Sequence, residues 1–168
     1  MADTATYDKI ATTTLGSAAA SITFSSIAAS WTDLRLVMTV ITSTNSITEL
    51  QFNGDTGTNY SNTVLYGDGT GAYSSKLTNN NYIYTYASTS ASALTIPVFY
   101  KIDIFSYAGS TYKTALLTGS GDTNGSGRVV NVVGLWRSTS AITSVTVLST
   151  SGTYSTGTTA TLYGIKSA

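Results

Sequence analysis

The chain has 168 residues, of which 10% are charged and 42% hydrophobic, and its formal net charge is zero. That length suits one domain with a real core, and the zero net charge leaves no electrostatic footprint for nucleic acid or an acidic membrane surface. With no cysteine and no histidine, disulfides, thiolate nucleophiles, imidazole bases and the usual transition-metal ligands are excluded.

Charged residues fall well below the roughly 25% of an average soluble domain, and serine and threonine take their place. Twelve tyrosines, with abundant threonine, valine and isoleucine, favour a pleated, half-buried surface rather than disorder. The start, "MADTATYDKI", lacks the basic region and apolar core of a secretory signal. No apolar run approaches the ~18 residues of a membrane span. The expectation is synthesis in a cytoplasm without export by a standard route.

In chain order, short apolar or alternating runs are separated by Gly, Asn, Asp and Ser. Residues 1–20 read as an N-terminal arm with a first strand, and 21–168 as a single β-sandwich domain. Strands are predicted near 21–27, 33–43, 48–53, 62–66 and 81–87, then near 97–106, 112–118, 128–136, 142–149 and 159–166. In 33–43, Leu34, Leu36, Met38 and Val40 share one face at period two, with Arg35 and Thr39 on the other. In 142–149, Thr143, Val145 and Val147 are predicted to oppose Ser144 and Thr146.

"NGDTG" (53–57), "GDGTG" (67–71), "GDTNGSG" (121–127) and "SGTYSTG" (151–157) read as strand connections. The one proline, Pro97, suits a strand start or an edge. About ten strands without crossover helices predict an all-β, antiparallel two-sheet sandwich of jelly-roll type.

Chemistry is sparse. The serines lack a histidine base, and of the carboxylates available for paired acid/base work, Asp55, Asp68, Asp103, Asp122 and Glu49, most are read in turns, where Asp bonds to nearby backbone. From Asp122, Asn124 and Ser126 offer oxygens at alternate positions, and Gly127 stands at position six of a calcium-type loop. Position twelve is Val133 rather than a bidentate Glu, so no metal is expected, nor any cofactor.

The loop 52–71 carries Asp55 and Asp68, flanked by Tyr60 and Tyr66. Here the two carboxylates are expected to hold the loop by accepting backbone bonds, Asp55 contributing about 1 kcal/mol. Both tyrosines are expected to lay their rings on the sandwich edge with the hydroxyls outward. Tyr82, Tyr84 and Tyr86 share a face, either as a cross-strand aromatic ladder or as a surface for a sugar or a protein partner. Trp31 and Trp136, at the ends of runs, read as lids on the core.

Three stretches carry a resemblance: "YDKIATTTLGSAAASITFSSI" (7–27), "QFNGDTGTNYSNTVLYGDG" (51–69) and "VGLWRSTSAITSVTVLSTSGTYSTGTTATLYGIKSA" (133–168). Together they resemble virion structural proteins of tailed bacteriophages of aquatic bacteria, cyanobacteria included. Members of that group are described as capsid decoration or cement proteins, head fibres or tail-fibre domains. The stretch 72–130 matches less well. The resemblance implies a β-sandwich located in the virion and carries no catalytic motif. Two roles follow as expectations. One is a non-enzymatic capsid decoration (cement) protein, a homotrimer seated on the major capsid protein. The other is a fibre or protrusion domain that binds host-surface glycan through its tyrosines and the 52–71 loop.

Overall fold

The computed structural model describes residues 6–44, 46–88, 96–122 and 124–166. Twelve antiparallel strands form two sheets: β1 (Tyr7–Thr14), β2 (Ser21–Phe24), β3 (Asp33–Val40), β4 (Ile47–Phe52), β5 (Tyr60–Gly67), β6 (Ala72–Asn80), β7 (Ile83–Ser88), β8 (Val98–Phe105), β9 (Lys113–Gly121), β10 (Arg128–Trp136), β11 (Val145–Ser149) and β12 (Thr159–Ile165). The larger sheet has the order β1-β12-β3-β8-β9-β10-β5-β6, and the smaller β2-β11-β4-β7.

The pairing is nested. β1 pairs with β12, β2 with β11, β3 with β8 and β4 with β7. Eight strands paired in this way are one long hairpin rolled into a sandwich, which is the jelly roll. Two further hairpins, β5–β6 and β9–β10, are spliced into that frame. They extend the larger sheet past β8, so it overhangs the smaller one.

Alternation places the core. Leu34, Leu36, Met38 and Val40 of β3 are all buried, while Val37 between them is exposed. β8 buries Ile102 and Ile104 in the same layer, and Leu50, Phe52, Val145 and Val147 face them from the smaller sheet. β7 lies across β9, β10 and β5. There Ile83 fills the space above Gly134, where a Cβ would stand 2.6 Å from two of its carbons.

Several sequence expectations change. The first strand expected within 1–20 is β1, and beyond it and the ten others the structure has one more, β6. In β1, a bulge between Lys9 and Ala11 interrupts the alternation. Nearly every residue of β6 is exposed, so that strand has no apolar period to read. Thr143 is exposed and precedes β11, so only Val145 and Val147 of its predicted face are buried. The neighbouring Ile142 is the residue that enters the core. Pro97 stands just before β8, an interior strand.

Of residues 1–20, the first five lie outside the described residues, and Tyr7–Thr14 forms the β1 edge of the larger sheet. Trp136 is not a lid but a core residue, 3% exposed. Trp31 does cover a surface: its ring lies over Gly164, and its Nε1 donates to Asp8 Oδ2 at 2.9 Å.

Candidate functional site: a tyrosine ladder, two aspartate turns and an apolar stripe

The 52–71 segment joins the two sheets. Asn53 and Gly54 both take left-handed angles (φ 53° and 64°), and Asp55 N donates to Phe52 O across them. Two consecutive left-handed residues make a type I′ turn, for which Asn-Gly is the favoured pair. Asn53 also secures the turn to the segment before β11. Its Oδ1 accepts from Thr143 N and Ser144 N, and its Nδ2 donates to Ala141 O.

Asp55 is the hub of this loop. Its Oδ1 accepts from Gly57 N at 2.8 Å, and its Oδ2 accepts from Asn59 Nδ2 at 2.9 Å and Trp136 Nε1 at 2.7 Å. Burial pulls the carboxyl upward, but the bonds from Trp136, Asn59 and Gly57 outweigh it and hold the group below the usual aspartate range.

Asp68 holds the β5–β6 turn. Its Oδ1 accepts from Thr70 N, Thr70 Oγ1 and Gly71 N. Those bonds, with help from the Arg128 charge, lower its pKa too. Both carboxylates therefore fix loop shape, the role expected of them.

Tyr60 does not do what was expected. It is fully buried, its ring packs against Phe52 and Trp136, which also touch each other, and its hydroxyl accepts from Phe52 N at 3.0 Å. The reason is parity. β5 starts at Tyr60, two residues before the predicted start, so Tyr60 shares the inward face of Asn62 and Val64. No hydroxyl is presented to a partner there. Burial pushes its pKa well above the ordinary tyrosine value.

The other four tyrosines do come together. Tyr66 pairs across the strands with Tyr73 and stacks on it at 5.1 Å. On its other side lies Tyr86 at 6.5 Å, followed by Tyr84 edge-on at 4.8 Å and Tyr82 at 5.7 Å. Five rings thus run from the edge of the larger sheet onto the edge of the smaller one. Each such contact is worth about 0.5–1.5 kcal/mol beyond area burial.

Tyr86 has φ 57°, an uncommon angle for a bulky residue. The Arg128 guanidinium lies 4.8 Å over the Tyr66 ring. Glu49, opposite Tyr84 on β4, is held above the usual range by burial, partly offset by its bond to Tyr82. Tyr73 and Arg128 were missed in the sequence, and Glu49 was read only as an available carboxylate, not as a neighbour of the ladder. Tyr73 lies on a strand with no apolar period, and the other two join the ladder only through pairing between distant segments.

A second surface was also missed. On the outer face of the larger sheet, Phe105, Leu116, Val133 and Leu65 are each more than two-fifths exposed. Leu116 is directly opposite Val133. Phe105 and Leu65 stand diagonally beyond them on β8 and β5, making an apolar stripe across four neighbouring strands. A trough of about 290 Å³ runs beside it, between Thr63 and Lys76 on one side and Leu135 on the other.

Comparison of the chain with protein-family models, curated proteins and solved structures gives no match in any of the three.

Proposed function

We propose that this chain is a non-enzymatic virion structural protein: a capsid decoration (cement) protein that works as a homotrimer seated on the major capsid protein. The observation that carries this reading is the apolar stripe of Phe105, Leu116, Val133 and Leu65 on the outer face of the larger sheet. Contiguous exposed apolar surface of this kind marks contact sites on soluble proteins. The absence of net charge leaves little repulsion between copies. The resemblance of the two ends and the 51–69 segment to phage virion proteins gives the contact its setting. The jelly roll is compatible with it but serves lectins as well as capsids, so fold does not decide the role.

A clip of this kind acts by interface energy alone. Interfaces of about 1,600 Å² are the standard size for specific association, and many copies add up over a shell. The test is stoichiometry, by quantitative mass spectrometry of purified particles. Hundreds of copies per particle support cement; a few dozen or fewer point to a fibre.

The second reading, a fibre or protrusion domain that binds host-surface glycan, draws on the tyrosine ladder, whose outermost ring, Tyr73, is 42% exposed. Loss of host-cell binding by Tyr73→Ala, with normal attachment to decoration-free particles, would favour it.

A further inference from the structure

At one end of the outer face of the larger sheet lies a groove of about 500 Å³. Its floor is a single row of paired residues across four strands: Phe99, Ser120, Val129 and Gly67. Large and small residues alternate in that row, so Ser120 and Gly67 leave depressions beside Phe99, 54% exposed, and Val129, 62% exposed. Pro97 adds to the apolar wall. The apolar stripe lies further along the strands and leaves this end open.

Two hairpin tips form the polar rim. The β5–β6 tip brings Asp68, and the β9–β10 tip brings Asp122. The tips meet: a Cβ on Gly69 would stand 3.5 Å from Gly125 O. Both aspartates hold their turns through Oδ1. Asp68 Oδ1 takes the Thr70 and Gly71 bonds, and Asp122 Oδ1 takes Gly125 N at 2.8 Å. The turn bonds engage Oδ1 of each, so Oδ2 is the oxygen that a ligand hydroxyl would meet. The groove's one cation, Arg128, is engaged with the Tyr66 ring.

From this geometry we infer that the groove is a binding subsite for a neutral saccharide. A pyranose has an apolar C–H face, which suits Phe99, and vicinal hydroxyls, which donate to carboxylate oxygens. Such hydrogen bonds to a charged acceptor are the stronger kind. Two carboxylates disfavour an anionic sugar or a phosphate. A purely apolar ligand would desolvate those carboxylates with nothing in return. The volume lies within the roughly 300–1,000 Å³ of small-molecule sites. This inference does not depend on the virion reading, because the free chain carries the whole groove.

The test is calorimetric titration of the free protein with maltohexaose, cellohexaose and chitohexaose as neutral probes and hexagalacturonate as the anionic one. At least one neutral probe is expected to bind with a Kd below about 10 mM, a weak but measurable affinity. Phe99→Ala removes the stacking surface. Gly67→Leu fills the depression, and its Cβ would meet only Gly71 O at 3.7 Å. Each is expected to weaken binding about tenfold or more without moving the melting temperature. Asp122→Asn keeps the Oδ1 turn bond and is expected to weaken binding as well.

Any of three results would overturn the inference. These are no neutral probe binding at about 10 mM, neutral binding unchanged by both Phe99→Ala and Gly67→Leu, or hexagalacturonate binding tighter than every neutral probe. If Gly67→Leu proves unstable, the surface change Phe99→Ala decides alone.

Discussion

Trp136 Nε1 donates to Asp55 Oδ2 at 2.7 Å, joining the end of β10 to the turn that carries the chain from the smaller sheet to the larger. The tryptophan is buried, so removing its acceptor strands a polar N–H in the core. An unsatisfied buried donor costs more than an average hydrogen bond contributes. Asp55→Ala is therefore expected to destabilise by about 2 kcal/mol, twice the figure reached from the sequence. That is a fall of about 4–8 °C for a domain of this size, readable by calorimetry. A change within error would mean that the turn holds without its carboxylate.

The pH dependence follows from the directions of the shifts. Asp8 lies below the ordinary aspartate value of 3.8 through its bonds from Lys166 and Trp31. Asp55 and Asp68 are depressed as well. A depressed carboxyl contributes stability that is present above the unfolded value and lost as pH falls through the folded one. Glu49, raised by burial, acts in the opposite sense: its contribution is lost as pH rises through its folded value. Three groups against one give a melting temperature expected to fall steadily below pH 3.8. A melting temperature that stays level or rises on further acidification would contradict this.

Tyr60 and Tyr73 are expected to separate fold from surface. Tyr60→Phe leaves Phe52 N without its acceptor in a buried site and is expected to cost about 1–2 kcal/mol. Tyr73→Ala trims an exposed ring at the end of the ladder and is expected to cost less than about 1 kcal/mol. Chemical denaturation of both variants checks the order. Equal losses would mean that the ladder stiffens the whole sandwich.

Gly134 has no room for a side chain. A Cβ there would meet Ile83 at 2.6 Å, so Gly134→Ala is expected to destabilise by about 1–3 kcal/mol through overpacking. Adding Ile83→Val should recover part of that loss, a favourable coupling in a double-mutant cycle. Additive losses would show that the two positions do not compete for space.

The fold was legible where one face is dry. β3 carries Leu34, Leu36, Met38 and Val40 at strict period two, and all ten predicted strands are present because each buries at least part of such a face. β6 was invisible because neither of its faces is covered. The site was half legible. The aspartate turns were readable from local chemistry, since among the described residues the hydrogen bonds of the Asp68 carboxylate come from within three residues of itself. Tyr60 was misplaced because its strand starts two residues earlier than read, although its shared parity with Asn62 and Val64 was a usable signal. The stripe of Phe105, Leu116, Val133 and Leu65 lies on three hairpin neighbours and a fourth strand brought alongside them by topology. No single segment reveals it.

The most direct measurement of the central claim is the mass of the free protein in solution by multi-angle light scattering, for wild type and for the double variant Leu116→Lys/Val133→Lys. Wild type at tens of micromolar is expected at three times the 17.5 kDa chain mass. The double variant places two like charges opposite each other on the exposed stripe. It is expected at the mass of one chain and still folded, because both positions face solvent, with a melting temperature lowered by the like-charge pair and the lost association. A wild-type protein that stays monomeric throughout that range, or a double variant that assembles as wild type does, would contradict the account.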